Sequence, residues 1–333
     1  MRFSLLLPLS LMACATVPDA PGALVPAVAE TQPVATRNDD AADDPAIWRN
    51  DEKPTESLIV GTDKNLGLYV YNLDGEELSF SPAPALNNTA LVELADGTIL
   101  VGASDREQPQ RPQAQFYRLD PQTGQLTPLG AAAVGTGEAY GFCMALRGGG
   151  AFAYLGTKEG SFYEIALRAD AFEPTGRSYS VETQPEGCVV DPRTDTLYVG
   201  EEIRGIWSFD LKGAPAPGSL LASVAPAELV ADVEGLALAP QGDTGGYLIA
   251  SSQGDNRYAV YELPSGAFAG RFGIGGGALD STEETDGIDL VLGGFGPDYP
   301  DGLFVAQDGI TGTGQQNFKF ASWADIKAAL SLD

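Results

Sequence analysis

Along this chain, short apolar runs repeatedly end in a small residue followed by polar groups: SLIVGTDK (57–64), TILVGASDR (98–106), FAYLGTKE (152–159), TLYVGEE (196–202), YLIASSQ (247–253) and GLFVAQD (302–308). A further apolar strand follows most copies, as in LYVYNLDG (68–75), AQFYRLD (114–120), SFYEIAL (161–167), GIWSFDL (205–211) and YAVYELPSG (258–266). Before each copy lies a strand with polar first residues: DDPAIW (43–48), NNTALV (87–92), EAYGFCMAL (138–146), PEGCVVD (185–191), VEGLALA (233–239) and TDGIDLV (285–291). The unit recurs at roughly 40–55 residues, the range of propeller blades. Six units of three or four short strands, separated by Gly-, Pro- and Asp-rich turns, predict an all-β fold, a six-bladed β-propeller with a central channel. Two stacked β-sandwiches are the alternative, and the evenness of the repeat favours the propeller. Only WADIKAAL (323–330) has a helical period.

A propeller has a geometric consequence. The first strand of each blade lines the channel and the second returns antiparallel beside it, so the start of one and the end of the other share a rim. Six blades then bring together Asp43 and Asp44 with Lys64, Asn87 and Asn88 with Arg106, and Glu138 and Tyr140 with Lys158 and Glu159. They also bring Glu186 with Glu201 and Glu202, Asp232 and Glu234 with Gln253, and Asp286 with Asp308. Bases fall on the first three blades and acids dominate the last three. Clustered carboxylates resist ionising unless a cation sits among them, and calcium accepts many oxygen ligands in irregular geometry. Lys and Arg opposite such a wall suit an anionic group such as phosphate.

Composition narrows the chemistry. The chain of 333 residues carries 46 acidic against 19 basic residues, a net charge of −27, and no histidine. A polyanion such as nucleic acid is excluded as a partner, and so are Ser-His-Asp catalysis and His-ligated metals. Three cysteines build no thiolate metal site. Cys143 and Cys188 lie on neighbouring inner strands; aligning Gly141 with Gly187 offsets them by one residue, so they are expected as separate buried thiols, with a disulfide as the minority reading. For any single Asp before a strand, turn capping is the simpler role, and structural calcium would account for Asp39 and Asp40. Only the joint pattern of position and charge argues for a site.

The N-terminus reads as a targeting segment. Arg2 precedes FSLLLPLSLMA, too short to span a bilayer but suited to a signal sequence, and Leu11-Met12-Ala13-Cys14 resembles a bacterial lipobox. The expected organisation is a lipoprotein signal over 1–13, a flexible Pro-containing tether over 14–29 and the propeller over 30–333. That implies an exported, periplasmic or cell-surface lipoprotein, anchored at Cys14 in the outer membrane, and a monomer.

The segments DDPAIW, KNLGLYVY, LNN, YGF, GTKEG, PEG, EEIRGIW, DVEGL, ASSQG, TDGID, FGPDYPDGLFVAQDG and QQNFKF, in this order, resemble the alkaline, calcium-dependent β-propeller phytases from about residue 30 to 330. The resemblance implies hydrolysis of myo-inositol hexakisphosphate by direct attack of a calcium-bound water, with several calcium ions at the channel mouth. It assigns Asp44, Glu186, Asp232, Glu234 and Asp286 as calcium ligands, with Glu201 and Asp43 as additional ones. Lys64, Arg106, Lys158 and Tyr140 are assigned to phosphate binding, and Lys158, Arg106, Glu186 and Tyr140 to catalysis. Two departures stand out: NNTA (87–90) has Ala90 where the family has a carboxylate, and TDKN (62–65) keeps one of two lysines. A propeller lactonase or phosphotriesterase, or a non-catalytic calcium-stabilised binding propeller, are the alternative functions.

Overall fold

The computed structural model describes residues 22–83 and 85–333, so the expected signal and Cys14 lie outside the described residues. Six antiparallel sheets follow one another in sequence, covering 42–82, 86–133, 139–180, 185–223, 233–274 and 288–322. Their first strands, Ala42–Trp48, Leu86–Glu93, Ala139–Arg147, Pro185–Asp191, Val233–Gln241 and Ile288–Leu292, contact one another in a closed circle around the channel. This is the six-bladed propeller, and stacked sandwiches are ruled out. The helix Trp323–Leu330 buries Trp323 and Ile326 under the fifth and sixth blades.

The small residue that ends each apolar run has a packing reason. A Cβ on Gly61 would lie 2.4 Å from the ring of Phe318 in the sixth blade, and one on Gly102 would lie 2.7 Å from Phe142 in the third. At these two positions an aromatic ring from the adjacent blade fills the space a side chain would occupy, whereas Gly156 meets Phe162 of its own blade and Gly200 the Val233 backbone of the next, so sheet stacks on sheet at native density.

The inner strands share an irregularity. Ladder pairing with the second strand breaks between Ala42 and Pro45, Leu86 and Thr89, Ala139 and Phe142, Pro185 and Cys188, and Val233 and Leu236. The residues inside the breaks, Asp43-Asp44, Asn87-Asn88, Tyr140-Gly141, Glu186-Gly187 and Glu234-Gly235, include Asp43, Asp44, Asn87, Asn88, Tyr140, Glu186 and Glu234 from the expected rim. Bulges of this kind free a residue from its own ladder and re-aim its side chain.

Two expectations are corrected. Cys143 and Cys188 form a disulfide, with Cα atoms 5.6 Å apart. Neighbouring inner strands belong to different sheets, so no ladder sets their relative register. The backbone contact that does set it joins Gly141 to Glu186, not to Gly187, and this one-residue stagger points both thiols at the same gap. Closing a loop of 45 residues constrains the unfolded chain by roughly 4 kcal/mol. Of the tether expected over 14–29, the described part, residues 22–29, is instead tied to the propeller. Ala23–Val25 pairs in parallel with Phe272–Ile274 of the fifth blade, and Ala29–Glu30 pairs antiparallel with Lys319–Phe320, giving the sixth blade its fourth strand and closing the ring.

That closure is reinforced by a buried ammonium. Lys319 is fully buried, with Nζ 3.1 Å from Glu30 Oε2, 2.6 Å from Asp280 Oδ1 and 2.6 Å from Asp308 Oδ2. Removing one partner of a buried ionic set leaves the others uncompensated. Lys319→Met should therefore cost about 3–5 kcal/mol of stability, read from the urea unfolding midpoint; a midpoint unchanged from wild type would refute the clasp.

Candidate active site at the channel mouth

One backbone hydrogen bond recurs at the rim. The N–H of Lys64 donates to Ala41 O, Arg106 to Ala85 O, Lys158 to Glu138 O, Glu202 to Gln184 O and Gln253 to Asp232 O, all at 2.7–3.1 Å. These five positions are equivalent, one per blade. Inside them, the acid-glycine pairs let blades close in: a Cβ on Gly187 would lie 2.2 Å from Glu234 O, one on Gly235 would lie 2.9 Å from Asp286 O, and one on Gly287 would lie 2.2 Å from Asp44 Oδ1. Only glycine tolerates such backbone approach, and each approach carries a carboxylate toward its neighbour.

Glu186 sits at the centre. Its Oε1 accepts a hydrogen bond from Asn87 Nδ2 at 3.0 Å, and carboxylate oxygens of Glu186, Glu202 and Glu234 lie within 4.8 Å of one another. Asp44 is pinned from both sides: its N–H donates to Thr62 Oγ1 at 2.9 Å, and its Oδ2 accepts from the Thr89 N–H at 3.2 Å. Asp286 Oδ1 accepts from Gln253 Nε2 at 2.6 Å. Lys64, nearly buried, spans the closure of the ring, with Nζ 2.9 Å from Asp286 Oδ2, 2.9 Å from Asp40 Oδ2 and 3.1 Å from Asp43 Oδ1. The Asp43 contact is ionic without hydrogen-bond geometry. Both Asp43 oxygens, Glu234 Oε2 and Asn87 Oδ1 are buried without a hydrogen-bond donor among the described residues.

Burial and crowding act together on the acids. Burial pushes Asp43 up to about 6, with Glu186 and Asp40 adding to it against Lys64. Burial, then Glu186 and Asp232, raise Glu202 to about 7 despite its hydrogen bond from Gln184. Asp44, Glu234 and Asp286 stand well above the usual carboxylate range, again through burial first and neighbouring acids second. Burial would lower Lys64, but Asp43, Asp286, Glu186 and Asp40 more than offset it and hold the ammonium charged. Tyr140 is pushed up by burial and by Glu186 and Glu234, so its phenol keeps its proton. Orphaned oxygens on an all-oxygen donor set fit a hard divalent cation.

On the basic side, Lys158 Nζ pairs with Glu138 Oε1 at 2.8 Å and lies 4.8 Å from the centre of the Tyr140 ring. Arg106 is half-buried, and its guanidinium makes no ion pair among the described residues. A cleft of about 850 Å³ lined by Asp40, Gln253, Glu283 and Asp286 opens beside the acids. Below them a narrower space of about 170 Å³, lined by Asp44, Asn88, Thr89, Ala90 and Asp289, continues into the channel.

The structure thus gathers Asp43, Asp44, Glu186, Glu234 and Asp286 with Lys64 and Tyr140, sets Asp232 close to Glu202, and places Lys158 and Arg106 on equivalent rim positions. Glu201 is not part of the gathering. Its Oε1 accepts from the Thr183 N–H and hydroxyl, both at 2.6 Å, and its Oε2 from Trp207 Nε1 at 2.7 Å. Glu202 occupies the place expected for it, and Gln253 and Asn87 complete the polar shell. Aligning the runs on Lys64, Arg106, Lys158 and Gln253 selects Glu202, a signal the sequence contained.

A six-bladed propeller whose mouth holds buried carboxylates beside a few bases defines a class, a site whose donors could hold a cation next to an anionic group. The particular family follows from comparison with known proteins. The model of the Phytase family matches residues 2–333, and the chain is 38% identical over 325 residues to the 3-phytase of Bacillus subtilis (strain 168), covering 91% of this chain and 84% of the relative. The chain belongs to the phytase family and is a phytase, a hydrolase of phytate. Solved structures similar in fold alone include the β-propeller domain of Myceliophteria_thermophila Cps50 (Swd1), with TM-score 0.51 and 13% identity over 83% of this chain and 82% of that one. A chain of a Mitotic Checkpoint Complex gives TM-score 0.51 and 13% identity over 93% and 86%.

Acids whose folded pKa is raised hold protons that the unfolded chain has released, so stability falls as pH rises. In chelator, the melting temperature should decline between about pH 4 and pH 7, the window from the ordinary carboxylate value to that of Glu202; with a saturating divalent cation the decline should vanish. A flat profile in chelator would contradict the crowding. Separately, Glu202→Gln should raise the cation concentration for half-maximal thermal stabilisation roughly tenfold, about 1.4 kcal/mol. Glu201→Gln should leave that midpoint within about twofold while costing about 2 kcal/mol of stability.

Proposed function

We propose that this phytase hydrolyses phosphomonoesters of phytate at the channel mouth by direct attack of water, with several calcium ions held by Asp43, Asp44, Glu186, Glu202, Asp232, Glu234 and Asp286. The observation that carries this reading is the set of buried oxygens without hydrogen-bond donors among the described residues, on Asp43, Glu234 and Asn87, next to Lys64 and Tyr140, with Lys158 and Arg106 at equivalent rim positions. Calcium suits the donors because it accepts many carboxylates in irregular arrangement; when bound, it supplies positive charge that neutralises phosphate oxygens and acidifies water. Arg106, without an ion pair among the described residues, and Lys158, paired with the half-exposed Glu138 and lying over the Tyr140 ring, are available to grip the phosphoryl oxygens and stabilise charge in the transition state. Tyr140, kept protonated, donates a hydrogen bond to the same group. Lys64 serves as an internal counter-ion; a cation satisfying Asp43 and Asp286 would release its ammonium toward a neighbouring phosphate, favouring substrates with adjacent phosphates. Neither a histidine nor a covalent intermediate is required.

Export and lipid anchoring at Cys14 are part of the same reading. The disulfide supports it, because such bonds persist in oxidising compartments. The net charge of −27 and the closed ring support a monomer that binds no nucleic acid.

Phosphate release from phytate should require calcium and stop with excess chelator. Glu186→Gln or Lys158→Ala should lower kcat/KM about 100-fold or more with little change in the melting temperature in the absence of metal. Release that continues undiminished in chelator would overturn the calcium assignment.

A further inference from the structure

We propose that the Cys143–Cys188 disulfide is a positioning element for catalysis, fixing the distance between the phosphate-gripping groups of the third blade and the central carboxylate of the fourth. This rests on the function proposed above. The rim has two seams where its basic half meets its acidic half. At the first, between the sixth and first blades, Lys64 reaches Asp286 across the gap and the Gly287 N–H donates to Asp43 O at 3.1 Å. At the second, Tyr140 and Lys158 of the third blade face Glu186 of the fourth, and here the link is covalent.

Its location along the strands matters. A Cβ on Gly141 would lie 1.9 Å from Glu186 O, and Cys143 and Cys188 each stand two residues further on, one pleat period away. Tyr140 and Glu186 both lie inside the breaks in ladder pairing, between Ala139 and Phe142 and between Pro185 and Cys188. Their own second strands therefore do not fix them, and the neighbour across the seam does. The disulfide is the first cross-brace after both breaks, buried beside the channel. Without it, the grip on the phosphoryl group and the cation beside Glu186 are free to drift apart, and a displacement of about 1 Å costs up to 100-fold in rate.

The test compares oxidised wild type with wild type reduced by a phosphine and with Cys143→Ser/Cys188→Ser, bond loss being verified by alkylation of the two thiols. Two quantities are read: kcat and KM for phytate at saturating calcium, well below the melting temperature, and the calcium concentration giving the half-maximal rise in melting temperature. Loss of the bond should lower kcat about tenfold and raise the calcium midpoint several-fold, with reoxidation of the wild type restoring both. A lower melting temperature with kcat and midpoint unchanged would make the bond purely structural and overturn the proposal. If the double variant does not fold, reduction and reoxidation of the wild type decide by the same criteria. If oxidised wild type binds calcium but releases no phosphate, the assigned reaction fails, and the calcium midpoint still decides the role of the disulfide.

Discussion

The structure depends on keeping several carboxylates in a small, poorly solvated space around Glu186. Like charges at such separations repel with a strength that water would screen and a protein rim does not. One lysine inside the cluster cannot neutralise Asp43, Asp44, Glu186, Glu234 and Asp286 together, and both Asp43 oxygens and Glu234 Oε2 lack hydrogen-bond donors among the described residues. The arrangement is stable as an ionised set only when positive charge is added from outside. The propeller supplies the force that holds the acids there regardless, because each sits on a strand whose apolar remainder is locked between two blades.

Two kinds of order are therefore separated along the inner strands of the first five blades. Beyond the break in pairing, the residues belong to a regular ladder and a dry inter-blade core. Ahead of it, they are released from their sheet and belong to the ring. The acid-glycine pairs are the local expression of this change. The acid brings a carboxylate to the ring, and the glycine removes the side chain that would keep the next blade away. The crowded acids of the rim come from positions where sheet regularity is given up.

Much of this was legible in the sequence because both signals repeat. Six copies of an apolar run ending in a small residue specify the blades, and equivalent ends of those runs specify the rim. What was missed depends on relations that repetition does not encode. Glu201 and Glu202 are adjacent, and strand alternation sends one into hydrogen bonds with Thr183 and Trp207 and the other into the cluster. The disulfide follows from a stagger between sheets that share no ladder, so aligning glycines misplaced it by one residue. The three-residue parallel strand Ala23–Val25 is too short for any period to announce. Ala90 was flagged from the sequence, and its position on the channel wall shows a spot where this chain presents a methyl group to the space below the acids.

Closure of the sixth blade by Ala29–Glu30 has a consequence for how the molecule comes into being. During synthesis, the segment that completes the circle emerges early and waits for a partner made some 290 positions afterwards. Asp43 and Asp286 meet only when that late partner arrives, so chains interrupted by a ribosome partway can form blades yet hold no complete reaction centre. Nascent molecules therefore lack the full circle of acids until the whole circumference exists.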